Sequence, residues 1–239
     1  MSAKETIFGL SKEELAALNG EELEKLNAKT IFVRDAMPDA WLNYADELME
    51  SAELLWAQKD EGLRLEAESA EQESQTGITI TPQPRKISSI SRAYILLAGF
   101  ALENVIKGLL VAQNPAHINQ GRLSSDLRSH DLLGLASKVE GLSFSKKEQR
   151  VCQIVKDAIP YWGRYPIPLE YNGVLPEVAI DNELRQVFLK LHFKLGKRLH
   201  RIIRDGWNSE AGPRSIKYRS VKYGDEIDYS EPLWDQDTD

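Results

Sequence analysis

Residues 98–110 read AGFALENVIKGLL, an almost wholly apolar run that nonetheless holds Glu103 and Lys107 one helical turn apart. At 100° per residue, Ile95, Leu102, Ile106 and Leu109 share one face of a helix, while Leu96, Phe100, Glu103 and Lys107 share another. A helix apolar on both faces has neighbours on more than one side, within a bundle or across a dimer interface. Glu103 and Lys107 then meet as an i,i+4 pair. Two readings of that pair stay open. It is either an ion pair partly buried at the edge of the packing, or one kept to orient neighbouring polar groups or fix a partner's register. Stability alone is a weak reason for it, because desolvating both charges can cost more than their attraction returns.

Around this helix, expected over Ser88–Gln113, the chain shows helical periodicity on both sides. The segment from Pro38 to about Ala67 spaces Trp41, Tyr44, Leu48, Leu55 and Trp56 as a long amphipathic helix. Ser129 is expected to cap a helix that closes at Gly141, and Ser143 or Ser145 to start another that stops at Pro160. A long last helix is expected from Asn182 to about Asp205, with Gly206 as its stop. The segment SQTGITITPQPRK is a loop, with room for a short strand, because Gly77, Pro82 and Pro84 interrupt helix. No alternation of strands and helices suggests a parallel sheet, so the fold class is all-α, a helical bundle.

This bundle is expected over residues 36–206. Residues 1–35 form an N-terminal helical appendage, with Ser11 and Glu14 in a capping-box pattern and a thin stripe of Leu15, Leu18, Leu23 and Leu26. Residues 207–239 form an irregular acidic tail, with seven acids and no Lys or Arg from Asp225 onward. Both ends are candidates for docking a protein partner.

Composition narrows the function classes. The 239 residues, 42% hydrophobic, suffice for a genuine core. A single cysteine, Cys152, rules out an intramolecular disulfide framework or a thiolate metal cage within one chain. The first residues lack the apolar core of a secretory signal, and the apolar run from Ala93 is interrupted at Glu103, short of a membrane span. A soluble, cytoplasmic protein is expected. Its net charge of −7 does not favour nucleic acid overall, but the segment Arg185–Arg204 holds seven bases and no acid.

The apolar stretch GFALENVIKGLL, then SHDLLGLA, then YWGRYPIP, resembles the HEPN-type helical proteins of prokaryotic defence, toxin and stress systems, over about residues 88–205. The resemblance implies a homodimer and, in catalytic members, an Arg followed after four to six residues by His on a late helix, which together cut RNA without a metal. Arg185 and His192, separated by six residues, match that spacing, although Gln186 stands where the family often has a small polar residue. On a helix the two differ by only about 20° in direction and lie roughly 10 Å apart along the axis. His192 suits a general base and Arg185 a phosphate clamp. His192 also falls among Phe188, Leu195 and Leu199 on the apolar stripe, where a satisfied core histidine is the commoner occupant.

Other candidates are read from the residues themselves. Lys190, Lys194, Lys197, Arg201 and Arg204 form a basic stripe on the opposite face of the last helix, suited to RNA phosphates or simply solvated. The acidic tail is able to mask it. His130 and Asp131 stand at a helix start, where Ser129 or Asp131 serves as a cap; His130 is also a candidate to join Glu103 and Lys107 in a pocket. Trp162 and Tyr165 flank Arg164 for cation–π contact in a proline-stiffened loop, a structural plug or a base-stacking site. Glu66, Glu68, Glu71 and Glu73 read as a solvated face rather than a cation site. Phosphate loops, HExxH pairs and nucleophile elbows are missing, so neither a cofactor nor a metal is expected. The reading is an RNA- or protein-binding module, with a metal-independent ribonuclease and a purely structural interaction module as the alternatives.

Overall fold

A computed structural model describes residues 10, 12–58, 72–73, 79–80, 90–119, 122–162, 178–204 and 221–223. Seven α-helices carry these residues: α1 (Lys12–Ala16), α2 (Gly20–Asp35), α3 (Pro38–Ala57), α4 (Ser91–Gln113), α5 (Leu132–Ala136), α6 (Lys146–Asp157) and α7 (Asn182–Arg204). The only strands among them are two antiparallel pairs of two residues each, β1 (Gln72–Glu73) with β2 (Thr79–Ile80) and β3 (Ile118–Asn119) with β4 (Arg122–Leu123). The all-α bundle is what the periodicity predicts.

The centre of the bundle is α4. It packs against α3 and α7 on one side and α5 and α6 on the other. Its buried residues lie almost all around the helix, from Tyr94 and Ile95 through Leu102 and Ile106 to Val111. Leu96, Leu97, Phe100 and Asn104 keep a partly exposed stripe. Two glycines let neighbours approach. A Cβ at Gly99 would lie 2.8 Å from Val155 of α6, and one at Gly108 would lie 2.7 Å from Leu199 of α7 and 2.9 Å from Trp41 of α3. The run from Ala93 does not stop at Glu103: α4 continues through the ion pair to Gln113, and by length and composition alone it is a candidate membrane span. In this fold it is the core helix.

Helix ends follow local chemistry, with corrections to the sequence reading. Asn19 and Glu22 form a capping box that starts α2, a single helix longer than the short one expected. Leu23 and Ile31 are 53% and 41% exposed along it, and its C-terminal end enters the core through Val33, followed by Ala36 and Met37 in the turn to α3. Ser11 lies outside the described residues; α3 runs to Ala57 with Gln58 as its C-cap, and the rest of the helix expected to about Ala67 lies outside the described residues as well. Ser145 and Glu148 make the capping box of α6. The stop expected at Pro160 is replaced by a π-helical turn, Ala158–Trp162. Proline lacks the amide an α-helical ladder needs, and the wider turn carries the chain past it. The cap of α5 is Asp131, whose carboxylate accepts from Gly134 N, while Ser129 Oγ accepts from Asp131 N. That helix ends at Ala136, and turns lead to Gly141 at φ 61°. Gly206, most of the acidic tail, and Glu66, Glu68 and Glu71 lie outside the described residues.

Candidate functional site

Glu103 and Lys107 are fully enclosed rather than peripheral. Their side chains are 6% and 8% exposed, and Lys107 Nζ donates to Glu103 Oε1 at 2.6 Å. The loop before α5 then brings His130 over the pair, with Nδ1 at 2.9 Å from Glu103 Oε2 and 3.1 Å from Oε1. A buried carboxylate thus fixes the orientation of an imidazole whose side chain is 52% exposed. The pair is internal rather than at the edge of the packing, and its carboxylate holds a polar neighbour, His130. Asp131 faces another way. Its carboxylate bonds Lys156 Nζ at 2.9 Å, and chiefly for that reason it is held below the usual carboxylate range.

Arg185 and His192 lie on α7 facing α3, which runs antiparallel to it here: Arg185 meets Glu53, and His192 meets Asp46. The seven-residue step on α7 is matched by a seven-residue step on α3. Arg185 grips both carboxylate oxygens of Glu53 through Nε and Nη2, and its guanidinium lies 5.3 Å from the centre of the Trp56 ring. Tyr94 Oη donates to the same carboxylate at 2.9 Å. Burial, then the bond to Glu53, pushes the Tyr94 hydroxyl far above its ordinary range. Arg185 is therefore committed inside the chain.

His192 is sealed in. It is 2% exposed, its Nε2 lies 3.4 Å from Asp46 Oδ1, and that nitrogen makes no hydrogen bond among the described residues. Burial pulls its pKa down to about 4; Asp46 pulls it back up, and Lys222 pushes it down again. The imidazole is neutral near pH 7. Asp46 is shared, because Tyr223 Oη donates to Oδ1 at 2.7 Å and Lys222 Nζ at 2.8 Å. These partners come from a single turn of 3₁₀ helix, Val221–Tyr223, within the segment expected to be irregular tail.

The remaining candidates divide between surface and undescribed chain. The outward face of α7 carries Lys190, Lys194, Lys197, Arg201 and Arg204, with Phe193, 44% exposed, among them. Lys194 is tied to Glu148 Oε1 at 2.9 Å and to the Ser143 carbonyl at 3.1 Å. Lys197 Nζ lies 5.8 Å from the Phe193 ring centre. Among the described residues no carboxylate pairs with Lys190, Lys197 or Arg201. Trp162 closes the π-helical turn with its backbone; its side chain, Arg164 and Tyr165 lie outside the described residues.

Nothing in the described chain suits a metal: no group of three or more His, Cys, Asp or Glu side chains is placed to hold one. Cys152 is buried, and desolvation pushes its thiol up to about 12, so it is inert as a nucleophile at neutral pH. Sequence reasoning missed Asp46, Glu53, Lys222 and Tyr223. The signal available for the first two was their spacing on α3, which repeats that of Arg185 and His192. No protein-family model, curated protein or solved structure matches the chain, so the site is read from its geometry.

Proposed function

We propose that this chain is a HEPN-like helical module that binds RNA through the outward face of α7 and does not cut it in the form described. The observation that supports binding is the face itself. Five cations line 15 residues of one helix, Lys190, Lys197 and Arg201 have no carboxylate partner among the described residues, and an exposed phenyl ring stands among them. Cations at that spacing track a phosphate backbone, and an aromatic ring offers a base a stacking surface. The chain's net charge of −7 opposes this only at long range, where salt screens it.

Cutting requires something else. A general base must reach the proton it removes, and a phosphate clamp must have donors to spare. Arg185 turns its Nε and Nη2 donors to Glu53, which already neutralises its charge, and His192 is enclosed beside Asp46. The resemblance to HEPN proteins adds a homodimer and a prokaryotic defence or stress setting to the proposal, with a cytoplasmic location. A protein partner is a second reading, and one observation favours it: α2 projects from the bundle with Leu23 and Ile31 open to solvent.

Fluorescence anisotropy with a labelled single-stranded RNA of about 20 nucleotides tests the reading. Three cations without a carboxylate partner among the described residues imply roughly twenty-fold weaker binding at 200 mM than at 50 mM salt. Reversing them, as Lys190→Glu/Lys197→Glu/Arg201→Glu, is expected to remove binding from a chain that keeps its helical circular dichroism. Binding that survives the reversal, or none at 50 mM salt, overturns the proposal.

A further inference from the structure

The three residues Val221–Tyr223 lie 17 residues beyond the end of α7 in sequence and sit back upon it. A glycine makes that possible. A Cβ at Gly196 would lie 2.3 Å from Tyr223 Oη and 2.7 Å from Cζ, so a side chain there requires the tyrosine ring to shift from its seat. Glycine inside an exposed-to-buried amphipathic helix costs about 1 kcal/mol relative to alanine, and close approach of another chain segment is what offsets it here. Tyr223 is buried. Its ring stacks on His200 with centres 5.5 Å apart and lies 5.7 Å from Phe193, while its hydroxyl reaches Asp46.

Beneath this contact one carboxylate has two candidate cations. Lys222 holds Asp46 at 2.8 Å, and the imidazole of His192 stands 3.4 Å from the same oxygen. Burial is the first reason His192 is neutral, and Lys222, by giving Asp46 a countercharge already, adds to it. Without Lys222 and Tyr223, Asp46 would be a largely enclosed carboxylate with only an imidazole beside it, and a proton on that imidazole would supply the missing charge.

We propose that Val221–Tyr223 is a displaceable strap seated in the Gly196 notch, and that lifting it converts Asp46–His192 from a sealed pair into an accessible, carboxylate-oriented histidine on the face of α7 turned toward α3. Strap and proton are alternative partners for Asp46. The charged groups acting on His192 are Asp46 of α3 and Lys222 of the strap; Tyr223 bonds the same carboxylate, and His200 of α7 lies on the far side of the Tyr223 contact, against its ring. The strap is a single short turn whose lysine is partly in solvent, so the buried Tyr223 ring is its main hold on the bundle. Acid favours lifting it. Under the strap, burial first and Lys222 second hold His192 down to about 4; lifting the strap takes away Lys222 and part of the burial, so the open form binds a proton more readily and acidification shifts the balance toward it.

This inference goes beyond RNA binding and does not rest on it; its test contains no RNA. Diethyl pyrocarbonate modifies neutral, accessible imidazoles, and peptide mass analysis reads each histidine separately. In the native chain at pH 7, His192 is expected to react at least ten-fold more slowly than His130, the half-exposed internal reference. Gly196→Ala, which fills the notch, and Tyr223→Ala, which removes the ring without touching the helix, are each expected to raise the His192 rate at least ten-fold. In either variant its NMR titration midpoint is expected to move from about 4 toward 6.5. Native-level protection and an unmoved midpoint in both variants, with His130 reacting normally and circular dichroism unchanged, would overturn the strap.

Discussion

His130 and His192 each stand against a carboxylate, yet the two arrangements are inverted. At His130 the carboxylate is the buried partner: Glu103 is enclosed with Lys107, and the imidazole reaches out from it into solvent. At His192 the imidazole is the more deeply buried partner, and Asp46 keeps contact with the surface through Lys222. The difference lies in who neutralises the carboxylate. Lys107 is built into α4 and cannot leave without unfolding it, whereas Lys222 belongs to a short outlying turn. A carboxylate with a permanent internal countercharge fixes a histidine in place; one with a removable countercharge leaves its histidine's charge open to change.

The sharpest way to break this comparison is to remove the permanent countercharge. Lys107→Met leaves Glu103 buried without its ammonium, and a loss of about 4 kcal/mol in urea unfolding is expected. Glu103→Leu/Lys107→Met removes both charges and is expected to recover most of that loss, because two apolar side chains suit the centre of α4. A double variant as unstable as the single one would mean that packing, not charge, dominates there.

The second expected effect is a pH dependence at His192. The unfolded chain binds a proton at this residue below about 6.5, while the folded chain resists it until about 4. Stability contributed by the neutral histidine is therefore complete above pH 6.5 and is lost as pH falls to 4, by about 3 kcal/mol. His192→Gln should flatten that part of the profile. Asp131 and Glu148 act in the same direction at lower pH. Lys156 holds the first below its ordinary value; for Glu148 burial works upward, but bonds from Ser145 and Lys194 prevail. Both contributions are present above the ordinary carboxylate range and disappear as pH falls through the depressed values.

Smaller changes sharpen the contrast. Arg185→Ala leaves Glu53 and Tyr94 to each other in a partly exposed setting, and a cost of about 2 kcal/mol in chemical denaturation is expected. His130→Ala should cost less than about 1 kcal/mol, since Glu103 keeps Lys107 and the lost ring was half in solvent. A cost for His130→Ala matching that for Lys107→Met would erase the distinction between the two sites.

Much of the architecture is legible in the chain because it follows from periodicity. The apolar run through residues 98–110 identifies α4 as a core helix, and the spacing of Phe188, Leu195 and Leu199 against Lys190, Lys197 and Arg201 separates the two faces of α7. Contacts between elements are harder to read. His130 is 27 residues from Glu103, and only the path of the loop before α5 brings them together. Asp46 and Glu53 look like ordinary charges on an amphipathic helix until α7 is laid antiparallel beside them. Tyr223 looks like one of several aromatics in an acidic tail, and its seat is marked in the sequence only by a glycine in the middle of α7. Local chemistry also displaced two boundaries: Asp131 takes the cap expected of Ser129, and a π-helical turn passes Pro160.

Incubation of the purified chain with mixed cellular RNA in EDTA, followed by both gel retention and fragment analysis, tests most directly whether this bundle binds RNA without cutting it. The expected result is RNA retained at low salt and recovered at its original length. Cleavage by the native chain that is lost in a folded Arg185→Ala/His192→Ala variant would contradict it, and would mean that these two residues leave Glu53 and Asp46 to act on the substrate.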